Sequence, residues 1–306
     1  MPLAFMVPPG NSPGKRYTHR LAEALRALGH DAQISPKPLP GSVPVLDGAL
    51  LPCPIPPGAV ALLHREPDGD WRPSAFRLLI ASSPAVLERL DESGSRAVLV
   101  APGADVLPRS PGSGGPQCAI LAVGALTARK GYENLLRALA RLADLDWRLT
   151  IAGGTAQAPD HADSIATLAG ELGLGERVRL IRDSDDPALG ALWRGADLFA
   201  LATEWEAYPA ALAEALRRGI PAAVTDVAAA GLPPLAGSGQ GAKWGVTCAV
   251  GDVEGFSKAL RRLIYDRDLR ASLADAAWQA GQALPGWDAQ ARRFVAVLED
   301  VREDAG

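Results

Sequence analysis

Apolar residues fall along this chain in short blocks separated by longer amphipathic stretches. Leu3 to Val7, Val60 to Leu63, Arg77 to Ala81 and Ala97 to Val100 are blocks of the length expected of buried strands. Tyr17 to Leu28 predicts a helix, with Leu21, Ala24, Leu25 and Leu28 on one face and Gly29 as its stop. Pro84 to Leu90 predicts a second, shorter helix, whereas residues 35–58 are dense in proline and glycine and read mostly as loop. Beyond residue 118 the alternation becomes regular. Strands are predicted at 119–123, 148–152, 178–181, 198–202, 221–225 and 246–250. Helices are predicted at 132–142, 163–172, 187–195, 210–218, 253–265 and 269–283. Strand and helix alternating at this length imply a parallel sheet covered on both faces. Right-handed crossovers make it a doubly wound, Rossmann-like layer.

Proline divides the chain. Nineteen of the 26 prolines lie in residues 1–117. Both parts nonetheless begin alike, with a strand, a glycine-bearing loop and a helix. The expected architecture is α/β, with two Rossmann-like domains facing a cleft. Residues 1–110 form a reduced first domain, 111–117 a linker and 118–285 the second domain. A helix over 286–306, after the Pro285-Gly286 break, packs back on the first domain. The first domain is short for its type, which implies lost strand–helix units. Ligands of open α/β sheets bind at the carboxyl ends of the strands.

Composition narrows the partners. Of 306 residues, 48% are hydrophobic and 22% charged, a globular balance with material for two cores. The net charge of −4 and the 5% aromatic content argue against a nucleic-acid binder, which needs a basic face or stacking platforms. Cys53, Cys118 and Cys248 are widely spaced and odd in number, so neither a disulfide framework nor a metal-ligand pair is expected, and the thiols read as inert. The start, MPLAFMVPPG, lacks a basic region, and no apolar run is long enough to span a bilayer. A cytoplasmic protein is expected, with peripheral membrane contact left open.

Two stretches could carry chemistry. In EWEAYPAALAEALRRGIPAAVTD, residues 204–226, Glu206 follows a strand and Glu214 lies eight positions on, in the next helix. Carboxylates near a cleft mouth accept hydrogen bonds from vicinal hydroxyls, and the helix start around Tyr208, Pro209 and Ala210 suits phosphate. Spacing alone favours solvated turn and helix residues. In AVGALTARKGYENLLRAL, residues 122–139, Arg129 and Lys130 precede Gly131 in the loop after a strand. Two cations there can neutralise a diphosphate; an ordinary basic loop fits as well. His19, His30 and His161 are isolated, Asp252 reads as a helix cap, and Trp244 could line an acceptor pocket. No metal-binding Asp pair or His/Cys cluster is evident.

The order of these segments carries more. VGALTARKGYENLLRAL, LTIAGG, GADLFALATEWEAYPAALAEALRRGIPAAVTD, GVTCAVGD and a closing LPGWD together resemble glycosyltransferase family 4 over about residues 118–300. The first part is similar more loosely, through the loop Pro8 to Arg16, LGH at 28–30, His64 after VALL, and VAPGAD at 100–105. The resemblance implies the two-domain GT-B fold and retaining, metal-independent transfer of a sugar. The donor would be a UDP- or GDP-sugar, a co-substrate rather than a cofactor, and the acceptor an unknown small molecule. It implies that Glu206 contacts the donor sugar and Glu214 the ribose hydroxyls. Lys130, with Arg129 assisting, would stabilise the diphosphate, and Tyr208, Pro209 and Ala210 would border the phosphates and sugar. Gly14 would let the first domain's loop approach the donor, and His64 would face the transferred sugar. Two departures stand out: Ala125 follows Gly124 where the family often has arginine, and the first domain is short. They leave a second reading open, a non-catalytic nucleotide-sugar-binding or partner subunit.

Overall fold

Each apolar block read as a strand forms one, and every strand pairs in parallel with its neighbours. The computed structural model describes residues 2–8, 13–51, 54–65, 71–91, 97–230, 232 and 244–303. Cys53 and most of the glycine-rich segment before Trp244 lie outside them. The chain separates into two units, one of residues 1–105 with 285–306 and one of residues 106–284.

The first unit holds β1 (Leu3–Met6), α1 (Pro13–Ala27), β2 (Ala32–Ile34), β3 (Val43–Asp47), β4 (Val60–Leu63), β5 (Leu78–Ala81), α2 (Pro84–Asp91), β6 (Ala97–Leu99) and, from the far end of the chain, α10 (Trp287–Glu303). Its sheet order is β2-β1-β3-β4-β5-β6. Three expectations are refined here. Residues 35–58 are mostly loop, as read, but they also contain the buried strand β3 between β1 and β4. Proline at position 44 obscured it. The neighbouring Val43 N–H points to β1, bonding the Pro2 carbonyl, so position 44 faces β4, whose pairing begins only at Val45 with Val60. No ladder bond is lost to the missing N–H. Helix α1 starts at Pro13, not Tyr17, with proline in the first turn where its lack of an N–H is harmless. The shortness of this unit lies in its crossovers and not in its strands, since the sheet still has six.

The core of the first unit needs α10. Phe294 and Ala291 are fully buried among Phe5, Leu21, Leu25, Leu62 and Ile80, and the Phe294 ring lies 5.8 Å from that of Phe5. Burying one such ring contributes about 1.5–3 kcal/mol. Gly103 lets the chain pass Trp287, because a Cβ there would lie 2.5 Å from the Trp287 Cα.

The second unit runs β7 (Cys118–Val123), α3 (Tyr132–Ala140), β8 (Trp147–Gly153), α4 (His161–Glu171), β9 (Val178–Arg182), α5 (Asp186–Arg194), β10 (Leu198–Leu201), α6 (Ala210–Arg217), β11 (Ala222–Thr225), α7 (Asp226–Ala230), β12 (Gly245–Cys248), α8 (Val253–Tyr265) and α9 (Arg267–Ala283). Its sheet order is β12-β11-β10-β7-β8-β9. Trp147, Tyr132, Leu136 and Ile151 fill one face of the core with Phe256 and Leu260 of α8. Asp252 caps α8, accepting the Gly255 N–H at 2.8 Å. Trp244 is buried, 3% exposed, and packs in this unit instead of lining an open pocket. The proline-rich segment read as a linker is tied down here: the Ser110 N–H bonds the Arg218 carbonyl, and Ser113 donates from N–H and hydroxyl to Asp197.

In the first sheet the strand order reverses between β1 and β3, and in the second between β7 and β10. A crevice opens at such a point because successive crossovers leave on opposite faces of the sheet.

Candidate functional site

At the reversal in the second unit, two loops leave the carboxyl ends of β7 and β10 and are sewn together. After β7 the chain passes Gly124 and makes a single 3-10 turn, Ala128–Lys130, closed by Gly131 in the left-handed region at φ 64°. Gly131 is required twice over: its φ strains other residues, and a Cβ would run into the Ala202 carbonyl. From the β10 side, the Glu204 N–H donates to the Arg129 carbonyl at 2.9 Å, and the Thr203 hydroxyl lies 3.0 Å from the same oxygen. Thr203 is in turn held by β11, whose Thr225 hydroxyl bonds its carbonyl at 2.6 Å.

This stitching brings together three of the charged residues singled out in the sequence. The Lys130 ammonium donates to Glu206 Oε1, and both side chains are nearly enclosed. Arg129 approaches the other carboxylate oxygen at 3.6 Å, bonds the Trp205 carbonyl at 3.0 Å and lies over the Trp205 ring. One carboxylate therefore faces two cations. Burial pushes the Lys130 ammonium below its ordinary pKa, and Glu206 opposes that shift. Sequence spacing left Glu206 readable as a solvated turn residue; at 6% exposure it is not one.

The other candidates lie around this pair. Tyr208 is half-buried, and burial pushes its hydroxyl up to about 12, against the pull of Arg217. Pro209 precedes α6, which opens at Ala210 with no side-chain cap; the Ala210 N–H bonds the Tyr208 carbonyl at 2.9 Å, and the positive end of the helix faces the loop. Glu214 is not drawn into the cluster; it sits about one turn into α6 and takes a two-pronged bond from Arg218 at 2.9 and 3.1 Å. Sequence reading missed Tyr132, whose hydroxyl bonds the Gly124 carbonyl at 2.9 Å. That carbonyl is packed against Gly153, where a Cβ would strike it. The signal was the first glycine of LTIAGG, which allows this contact.

In the first unit, at its own reversal point, stand Gly14 and His64. A Cβ on Gly14 would lie 2.5 Å from the His64 ring. His64 Nε2 lies 3.7 Å from Oδ2 of Asp47, a residue the sequence reading placed in loop. Burial lowers the His64 pKa while the Asp47 carboxylate raises it, and burial prevails. Cys118 and Cys248 are free, their thiols pushed up to about 12 and about 11 by burial, which suits inert residues. No helix among the described residues is long and apolar enough to cross a membrane.

Comparison with known proteins bears on what this arrangement does. The family model described as Glycosyl transferases group 1 matches residues 106–279. A D-inositol 3-phosphate glycosyltransferase of Corynebacterium aurimucosum is 30% identical over 237 residues, covering 72% of this chain and 54% of its own. The lipopolysaccharide core biosynthesis glycosyltransferase LpsE of Rhizobium meliloti is 27% identical over 165 residues, 51% of this chain and 42% of its own. The chain spans about half the length of these curated relatives. Among solved structures, the sucrose-phosphate synthase of Thermosynechococcus elongatus superposes with a TM-score of 0.78 at 17% identity, covering 99% of this chain and 100% of its own. Anabaena HepE, solved in complex with UDP-glucose, gives 0.76 at 15% identity over 98% and 100%. These likenesses establish the GT-B type of fold.

Proposed function

The chain belongs to the group 1 glycosyltransferases, and we propose that it transfers a sugar from a nucleotide-diphosphate sugar to the hydroxyl of a small acceptor, retaining the anomeric configuration. The observation that carries this reading is the enclosed Lys130–Glu206 pair with the half-exposed Arg129 beside it, at the switch point of the second sheet and next to the uncapped start of α6.

Breaking the anomeric bond leaves negative charge on the diphosphate and positive charge on the sugar ring. Lys130, Arg129 and the N-terminal end of α6 supply positive potential for the charge that develops on the diphosphate. Glu206 then turns from holding the ammonium to accepting hydroxyls of the donor sugar, and Glu214 takes those of the ribose. Tyr208, Pro209 and Ala210 border the phosphates. The new bond joins C1 to the acceptor oxygen, and the acceptor's proton leaves with the nucleoside diphosphate. Arg129 stands in for the cation missing at Ala125, since it reaches the same carboxylate as Lys130. With that charge supplied by side chains, the reaction proceeds without a divalent metal. His64, with Gly14 against its ring, is assigned to a substrate hydroxyl. The relatives named for inositol phosphate support a small polyol acceptor, and the free thiols fit a reducing compartment, the cytoplasm.

The test is turnover on a panel of UDP-, GDP- and ADP-sugars with polyol acceptors, with and without EDTA, the product anomer being read by NMR. Transfer with retention, insensitive to EDTA, is expected. Nucleotide binding without turnover on any donor overturns the catalytic reading in favour of a binding subunit. Absence of nucleotide binding by calorimetry overturns both.

A further inference from the structure

We propose that Asp47 is a positioning residue for His64, taking the Nε2 proton of the imidazole so that Nδ1 is presented as a hydrogen-bond acceptor. Asp47 ends β3, and its side chain is 1% exposed. One carboxylate oxygen, Oδ1, is used locally and accepts the Ala49 N–H at 2.9 Å. The other, Oδ2, is enclosed and bonded to nothing among the described residues. It faces His64 Nε2 at 3.7 Å, itself enclosed and unpartnered. An unpaired buried carboxylate oxygen and an unpaired buried ring nitrogen each carry a desolvation cost that no bond offsets. A ring shift of under about 1 Å brings the two within bonding range and removes both costs.

The walls around the ring allow it little else. Tyr17 of α1 lies edge-on at 5.0 Å and is itself fixed by its hydroxyl on the Val100 carbonyl. Gly14, in the first turn of α1, closes the other side, where even a methyl group would meet the ring at 2.5 Å and Oδ2 at 3.0 Å. Elements β3, β4 and α1 thus converge on one imidazole. A neutral imidazole carries one N–H, and the partner at one nitrogen decides what the other offers. With Oδ2 an obligate acceptor, the proton goes to Nε2 and the lone pair to Nδ1. His64 therefore accepts from a substrate hydroxyl and does not donate to it. This last step rests on the proposed sugar transfer; the tautomer rests on the first unit alone.

The full chain labelled with 15N decides the tautomer. Long-range 1H–15N spectra, with the resonances assigned by His64→Gln, should show Nε2 protonated and Nδ1 unprotonated. A wild-type ring protonated at Nδ1 overturns the proposal without any variant of Asp47. Asp47→Asn keeps Oδ1 for the Ala49 N–H and places an amide before Nε2, so the tautomer should invert or mix. An unchanged tautomer also overturns it. On a donor that turns over, Asp47→Asn should lower kcat about 10–100-fold while KM for the donor changes less, and it should add nothing to His64→Ala. Additive losses would mean that Asp47 acts elsewhere and would sink the idea. If no nucleotide sugar binds at all, the functional reading fails, while the tautomer still judges Asp47.

Discussion

Two enclosed polar pairs set what single residues can be expected to do. Lys130 and Glu206 are nearly enclosed, so removing one partner strands the other. Lys130→Ala should destabilise the second unit by about 3–5 kcal/mol and lower kcat by about 100–1,000-fold. Pairing Lys130→Met with Glu206→Gln should restore most of the stability and none of the activity. Urea melts and initial rates on the same preparations check both halves. His64 gives a pH signature of the opposite kind. Burial holds its folded-state pKa below the ordinary 6.5. An unfolded chain therefore takes up a proton near pH 6.5 that the folded chain takes up only at lower pH. Stability of the first unit should be level above about pH 6.5 and decline as pH falls through the interval between the two pKa values. The groups facing the ring are Asp47 from β3 and Tyr17 from α1. Denaturant titrations at pH 7.5 and 5.5 should show the decline in the wild type and a smaller one in His64→Gln.

Elements show how much could be read in advance and what hid the rest. Strands buried on both faces announce themselves as unbroken apolar runs, and those of the second unit were legible for that reason. The strand β3 was not, because the proline at its second position looks like loop until the neighbouring register shows that no bond is needed there. The pairing of Lys130 with Glu206 was invisible for a different reason. They are 76 positions apart, and only the parallel pairing of β7 with β10 makes their loops adjacent. Local spacing carried Glu214 no further than a helix surface, and its bond to Arg218 agrees with that view. Helix α10 makes the clearest prediction at this scale. Phe294→Ala should cost about 3–5 kcal/mol in the first unit and leave the second unchanged, as amide exchange in β1 and β3 against β7 and β8 will report.

At the scale of the molecule, two separate cores, each with a switch point, divide the work. A nucleoside diphosphate held by Lys130, Arg129 and α6 should stabilise the second unit alone. At 100 times its dissociation constant the gain should be about 2.7 kcal/mol, read as slower amide exchange in β7, α3, β10 and α6 with little change in β3 and β4.

The order in which these parts leave the ribosome follows from the division of the chain. Residues 106–284 are continuous and can fold as soon as they emerge, whereas the first sheet must wait for Ala291, Phe294 and Leu298, which are made only after the whole second unit. Until then the strands of the first unit keep an unfilled apolar face, exposed to chaperones and proteases. A chain cut near residue 284 would thus damage the first unit more than the second.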